Sequence, residues 1–320
     1  MIKVAIVGYG NLGKGVEYAL SQNPDFRLDA VFTRRNPDGV KPLGKNVKVE
    51  SLDNILKYKG KLDLLFLCGG SATDLPETAP LLLKNFNCID SFDTHAKIPE
   101  YLKQLDGIGR ENNTLALVSV GWDPGLFSIA RLLFASVLPE GSTNTFWGRG
   151  VSQGHSDAIR RIAGVKYAVQ YTIPKDAAVA AATAGGNPSV KEKHLRQCFV
   201  VADSSEHARI KREIVDMPNY FAGYDTEVNF ISEAEYKEKH TAMPHGGMVL
   251  RYGKTQSGLG HALNLNLKSK SNPEFTGSVL VAYARALYRL RKEGRTGALT
   301  VFDVAPSYLF ADGSKVLELL

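Results

Sequence analysis

The chain has 320 residues, with 39 lysines and arginines against 33 aspartates and glutamates, a formal charge of +6, and 44% hydrophobic residues. That reads as an ordinary soluble globular protein of about two domains, long enough to bury a sizeable core, so intrinsic disorder and small stapled scaffolds are excluded. No apolar stretch approaches the roughly 20 residues of a membrane span, and the opening Ile2 to Val7 reads as a strand rather than a signal peptide. Cys68, Cys88 and Cys198 are odd in number and far apart, so reduced, buried thiols in a cytoplasmic protein are expected. A pI near 9.0 raises the question of nucleic acid. The basic residues are scattered, the densest group being Arg289, Arg291, Lys292 and Arg295, and no zinc-finger or RNA-binding signature is present. No nucleic-acid partner and no membrane partner are therefore expected.

In chain order, the first third alternates short apolar runs with helical patterns, which predicts a parallel sheet of strand-helix-strand units. The predicted strands are Ile2 to Val7, Leu28 to Thr33, Leu62 to Cys68, Cys88 to Asp93 and Leu115 to Val120. Between them Leu12, Val16, Ala19 and Leu20 fall at helical spacing, and Pro76 to Phe86 and Ile98 to Glu111 read as further helices. The strands are apolar on both faces, as helices covering both sides of a sheet require. A helix from about Leu126 to Leu138 then leads into strands of period two, clearest where Leu263, Leu265 and Leu267 alternate with Asn264, Asn266 and Lys268. That alternation predicts an α+β domain on an open sheet with one wet or ligand-facing side. Ala177 to Gly186 reads as a short alanine-rich helix, Phe275 to Lys292 as a long one, and Ala298 to Val304 as a last strand. The expected architecture is α/β. A Rossmann-type dinucleotide-binding domain spans 1–121, a second α+β domain spans 122–274, and residues from about 275 to 320 pack back on the first.

Gly8-Tyr9-Gly10-Asn11-Leu12-Gly13 lies directly between the first strand and the first helix. Gly8 permits the tight turn, Gly10 lets the backbone approach a pyrophosphate, Gly13 lets helix and strand pack closely, and the helix N-terminus offers N–H groups to the anion. This context makes an otherwise weak glycine pattern specific. The second strand ends in Thr33-Arg34-Arg35, with no carboxylate before Asp38 to grip a ribose 2′-hydroxyl. Two guanidiniums and a hydroxyl there suit the 2′-phosphate of NADP, a solvated basic loop being the alternative. Cys68-Gly69-Gly70-Ser71 and Val120-Gly121-Trp122-Asp123-Pro124-Gly125 combine flexible backbone with polar groups at other strand ends, where ligands of open α/β sheets sit.

Asp93 and Asp123 follow two further strands. Paired carboxylates can hold a substrate ammonium and take its proton, so that the amine is neutral before hydride leaves carbon; capping and plain surface exposure are the bland alternatives. His155, His245 and His261 show no metal-ligand spacing, so no metal is expected, and no nucleophile motif supports covalent catalysis.

Val7 to Gly13, Cys68-Gly-Gly-Ser-Ala-Thr-Asp74, Ser119-Val-Gly-Trp-Asp-Pro-Gly125, Phe146-Trp-Gly148, Ser152-Gln-Gly-His-Ser-Asp157, Arg196-Gln-Cys-Phe199 and Met243-Pro-His-Gly-Gly247 together closely resemble the meso-diaminopimelate D-dehydrogenase family. The resemblance runs from the first strand to the last. It implies NADP-dependent, reversible oxidative deamination at the D-centre of meso-2,6-diaminopimelate, giving L-2-amino-6-oxopimelate and ammonia within lysine biosynthesis, by a homodimer whose middle domain binds substrate and forms the interface. It places cofactor contacts on Gly8, Tyr9, Gly10, Asn11, Leu12, Gly13, Thr33, Arg34, Arg35, Cys68, Gly69, Gly70 and Ser71. Further ones fall on Ser91, Phe92, Asp93, Val120, Gly121, Trp122, Asp123 and Pro124. Substrate contacts fall on Asp93, Asp123, Trp147, Gln153, Gly154, Thr172, Arg196, His245 and Asn272. Arg196 can grip a carboxylate as a fork, with Thr172, His245 and Asn272 adding hydrogen bonds at the distal L-centre, while Asp93 and Asp123 suit the reacting amine and Trp147 a flat wall. Either aspartate could be the base.

Two rivals share the fingerprint. A semialdehyde or homoserine dehydrogenase has the same first domain, but a semialdehyde enzyme needs an activated cysteine with a base beside it. A non-catalytic NADP sensor needs the fingerprint but not Asp93, Asp123, Trp147 and Arg196 together.

Overall fold

The computed structural model describes residues 1–320. The chain begins with β1 (Ile2–Val7), α1 (Asn11–Ser21), β2 (Phe26–Thr33), β3 (Lys48–Ser51), β4 (Leu64–Leu67), α2 (Leu75–Leu83), β5 (Cys88–Asp90), α3 (Ile98–Asn112) and β6 (Leu115–Leu117). Then come α4 (Leu126–Val137), β7 (Gly141–Trp147), β8 (Gly150–Val151), α5 (Gln153–Arg160), β9 (Val165–Pro174), α6 (Asp176–Thr183) and β10 (His194–Ala202). The remainder is α7 (His207–Val215), β11 (Asp225–Phe230), α8 (Glu233–Lys239), β12 (His245–Lys254), β13 (Gly260–Ser269), α9 (Asn272–Lys292) and β14 (Gly297–Leu299). No helix is long and apolar enough to cross a membrane.

The chain divides into two compact units, Met1–Ile129 with Pro273–Leu320, and Ala130–Asn272. The first cut falls inside α4 rather than after residue 121, because Leu126 and Ile129 pack on the core of the first unit.

The first unit is a parallel seven-stranded sheet in the order β14-β6-β5-β4-β1-β2-β3. Ile2, Val4 and Ile6 of β1 join a cluster with Val16 and Leu20 of α1 and Leu280, Tyr283 and Leu287 of α9. Ala5 and Val7 point the other way, into a cluster with Leu75, Ala79 and Leu82 of α2 and Tyr101 and Leu105 of α3. Helices on both faces are why these strands are apolar throughout. The strand order reverses between β1 and β4, and such a switch point opens a crevice at the carboxyl ends of the strands.

Several elements are shorter than the sequence suggests. β5 stops at Asp90 rather than Asp93, because the Asp90 carboxylate accepts the N–H groups of Phe92 and Ser119 and the Tyr101 hydroxyl, folding the chain out of the sheet. β6 ends at Leu117 and β4 covers only Leu64–Leu67. The last strand ends at Leu299, since the Thr300 hydroxyl accepts the Phe302 N–H and Asp303 accepts the Thr300 N–H, turning the chain into a 3-10 turn. β3, with the polar sequence Lys-Val-Glu-Ser, is an edge strand that hydrophobic patterning does not reveal.

The second unit holds two sheets where a single open sheet is expected. One is β11-β10-β9-β8, with β10 and β11 parallel; the other is the antiparallel β13-β12-β7. After β7 pairs with β12, the Gly148–Arg149 turn carries the chain onto β8, which pairs with β9. α5 and α7 cover the first sheet through Ile159, Ile210 and Ile214, and α6 covers the second by packing Ala178 and Ala182 on Phe146 and Leu250. β13 is an edge strand whose Leu265 stays exposed.

Candidate functional site

In the first unit the fingerprint turn has the shape a dinucleotide needs. Gly8 has φ +90°, and a Cβ on it would stand 3.3 Å from the Cys68 backbone. A Cβ on Gly13 would lie 2.4 Å from the Gly8 carbonyl oxygen, whereas Gly10 has nothing within 4 Å of that position. The turn is thus closed behind and open in front, at the N-terminus of α1, and its residues fit a pyrophosphate. Leu12 packs on the core. The Tyr9 hydroxyl donates to Glu17 at 2.5 Å, and Glu17 also accepts the Gly44 N–H at 2.8 Å, tying the segment after β2 to α1.

Thr33 is buried at the end of β2, and its hydroxyl accepts the Arg35 N–H at 3.0 Å. The Arg35 guanidinium donates to the Tyr9 carbonyl at 2.8 Å, while Arg34 forms an ion pair with Asp74. The Asp93 N–H donates to the Ser71 hydroxyl at 3.1 Å, which joins the loops after β4 and β5. β5 and β6 are parallel neighbours, so Ser91, Phe92 and Asp93 and the run Val120 to Pro124 follow adjacent strand ends. Asp90 braces both loops, accepting the Phe92 and Ser119 N–H groups on its carboxylate and the Val120 N–H on its carbonyl. Its position as the last residue of an apolar run was the available signal for this positioning role.

The remaining candidates belong to the second unit. Gly150, Thr172 and Arg196 stand in register across β8, β9 and β10, and Arg196 donates to the Thr172 hydroxyl at 2.9 Å. The Arg196 guanidinium lies 4.6 Å from the Tyr224 ring centroid, and its buried Nε has no hydrogen-bond partner. Burial lowers its pKa. A half-buried guanidinium with a buried, unsatisfied donor is arranged for an incoming anion. Met243 gathers three other candidates. Gln153 donates to its sulfur at 3.4 Å, the Asn272 N–H donates to its carbonyl at 3.0 Å, and His245 follows two residues later. The Val151 N–H donates to the Pro244 carbonyl at 2.8 Å, so α5, with Gly154 open in its first turn, begins beside that loop.

Trp147 pairs with Gly247, and its backbone N–H donates to His194 Nε2 at 2.9 Å; the two rings stack 5.7 Å apart. His194 was not among the candidates, although period two on a strand places it on the face that carries Arg196. His155 and His194 are both depressed from the ordinary 6.5 to about 4, first by burial and then by Arg196. The unfolded chain takes up protons on them below about 6.5 and the folded chain only near 4, so their contribution is complete above the first value and is lost as pH falls toward the second. We expect the thermal midpoint to fall between pH 7 and pH 4.5, and to fall less in His194→Gln, by calorimetry.

Burial raises the pKa of all three thiols, Cys198 to about 12, which removes the activated cysteine that a semialdehyde dehydrogenase needs. No group of three or more His, Cys, Asp or Glu side chains is arranged to hold a metal ion.

Comparison with known proteins agrees with this chemistry. A family model described as the diaminopimelic acid dehydrogenase C-terminal domain matches residues 121–271. A meso-diaminopimelate D-dehydrogenase of Ureibacillus thermosphaericus is 56% identical over 306 residues, which cover 95% of this chain and 94% of that protein. A solved structure of the Corynebacterium glutamicum DAP dehydrogenase in complex with DAP has a TM-score of 0.91 at 45% identity, covering 99% of this chain and 98% of the other. A crystal structure of an engineered D-amino acid dehydrogenase bound to NADP+ has a TM-score of 0.86 at 43% identity, covering 100% of this chain and 99% of the other. At such identity along nearly its whole length, the chain belongs to the meso-diaminopimelate D-dehydrogenase family.

Proposed function

We infer that the protein catalyses the reversible, NADP-dependent oxidative deamination of meso-2,6-diaminopimelate at its D-centre, yielding L-2-amino-6-oxopimelate and ammonia. The observation that carries the substrate side is Arg196, a half-buried guanidinium whose buried Nε is unsatisfied, beside the Thr172 hydroxyl. A carboxylate satisfies that donor and neutralises the charge. In this reading Arg196 and Thr172, with His245 and Asn272, hold the distal L-centre. Gln153 and Gly154 line the substrate, and Trp147, held by neutral His194, walls it.

Gly8 to Gly13, Thr33 to Arg35, Cys68 to Ser71, Ser91 to Asp93 and Val120 to Pro124 would hold NADP, which when bound supplies the hydride acceptor. Asp93 and Asp123 hold the reacting ammonium and take a proton from its nitrogen, freeing the lone pair that forms the C=N bond as the C–H bond breaks. Water then adds to the imine carbon and ammonia leaves. Positioning of the C–H bond and exclusion of bulk water supply much of the rate.

The test is direct. Purified protein with NADP and meso-diaminopimelate should produce reduced cofactor by absorbance, with LL-diaminopimelate, D-lysine and NAD as controls. Absence of meso-dependent reduction would overturn the reading. We further propose a homodimer acting in lysine biosynthesis in the cytoplasm. Leu132 (53% exposed), Leu133 (55%) and Val137 (61%) form an apolar stripe on α4, which supports a covered face. Light scattering should return twice the chain mass, and a monomer would refute this.

A further inference from the structure

We propose that Asp74 is a latch on Arg34 that limits how tightly NADP binds and how far NADP is preferred over NAD. The proposal rests on the reading of Arg34 and Arg35 as the 2′-phosphate site.

Asp74 lies forty residues beyond Arg34, in the loop between β4 and α2. One carboxylate oxygen accepts the Gly70 N–H at 2.9 Å, and the Asp74 N–H donates to the Gly70 carbonyl at 2.9 Å, so the side chain is pinned from behind. Its other oxygen accepts from the Arg34 guanidinium. The two hydrogen bonds hold the carboxyl below its usual pKa, and it is ionised at neutral pH. The position depends on Gly69, because a Cβ there would stand 2.7 Å from the Asp74 Cβ. Gly8, Phe32, Arg34, Gly69, Asp74 and Thr78 all line one open cleft beside the fingerprint turn.

The Arg34 side chain is 62% exposed, so a ligand can reach it. A 2′-phosphate arriving there must take Arg34 from Asp74 and then sit beside a fixed negative charge. A ribose 2′-hydroxyl meets neither cost, and a carboxylate at this place is an acceptor for it. The latch therefore lowers affinity for NADP selectively. It differs from the acidic residue that usually ends the second strand of NAD sites, because it comes from another strand end and faces an arginine.

Calorimetric titration of the full-length protein with NADP and with NAD, in the absence of substrate, tests this. Asp74→Asn keeps an acceptor for Gly70 and removes the charge. Its NADP Kd should fall about three- to tenfold while its NAD Kd moves less than about twofold, and the gain should shrink in high salt. Asp74→Asn in an Arg34→Ala background should give no gain. Unchanged or weaker NADP binding by Asp74→Asn overturns the latch. The reading beneath it has its own arm: Arg34→Ala with Arg35→Ala should narrow the NADP/NAD preference, and an unchanged preference in that variant overturns the phosphate site itself.

Discussion

Asp123→Asn is expected to lower turnover by about 10²- to 10⁴-fold, the range a positioned proton acceptor contributes, while the NADP Kd stays close to that of the parent. The substitution is isosteric, and the backbone around it is well held. The Val120 N–H donates to the Asp90 carbonyl at 2.9 Å, the Leu126 N–H to the Gly121 carbonyl at 3.0 Å and the Phe127 N–H to the Trp122 carbonyl at 2.8 Å. Trp122 is buried edge-on against Phe127 at 5.2 Å. An amide there can still hydrogen-bond but cannot take a proton from an ammonium. Steady-state kinetics beside a cofactor titration separates the two effects, and retention of both turnover and affinity would remove Asp123 from the chemistry. Turnover of Asp93→Asn and Asp123→Asn measured against pH shows which aspartate is the base, because only loss of the base removes the acidic limb of the profile.

Arg285→Ala should destabilise the first unit by about 2–3 kcal/mol, less than the cost of breaking a fully buried ion pair because the Asp25 side chain is 32% exposed and water can reach it. The Arg285 side chain on α9 is only 4% exposed. Its Nε and Nη2 bind the two Asp25 oxygens at 2.6 and 2.9 Å, Nη2 also donates to Asn23 at 2.7 Å, and Nη1 donates to the Leu309 carbonyl at 2.8 Å. The Phe26 ring lies 5.3 Å from the guanidinium. One side chain thus joins α9, the turn before β2 and the C-terminal segment. Alanine leaves Asp25 and the carbonyl unpaired, and chemical denaturation should show a lower midpoint with an unchanged slope. A midpoint equal to the parent's would mean that water replaces the network at no cost.

The parts of the fold legible in the sequence are those whose cause is local. β1 is bounded by its own apolar run and by the fingerprint, and the structure places it at Ile2–Val7, as read. The ends of β5 and β14 were missed because side chains end them: Asp90 and Thr300 offer the backbone a better partner than the next strand does. The second unit's division into two sheets depends on whether β7 and β8 pair with β12 or β9, which alternation cannot encode. The same limit governs the candidate site. Glycine spacing speaks for the turn, but the register of Arg196 with Thr172, and the approach of Asp74 to Arg34, are facts of pairing between distant segments. Residue type alone names Arg34 and Arg35 as cations without saying that one already has a carboxylate partner. His194 was within reach of strand periodicity, and it was missed because a buried neutral imidazole leaves no motif.

Because β14 completes the sheet that β1 begins and α9 covers one face of it, the order of synthesis matters. At about 5–20 residues per second, residues 130–299 take on the order of ten seconds or more to emerge from a ribosome. Over that interval the second unit is delivered whole, while Ile2, Val4 and Ile6 have α1 but lack α9, the other helix that covers them. The dinucleotide-binding half, although made first, can only finish folding last.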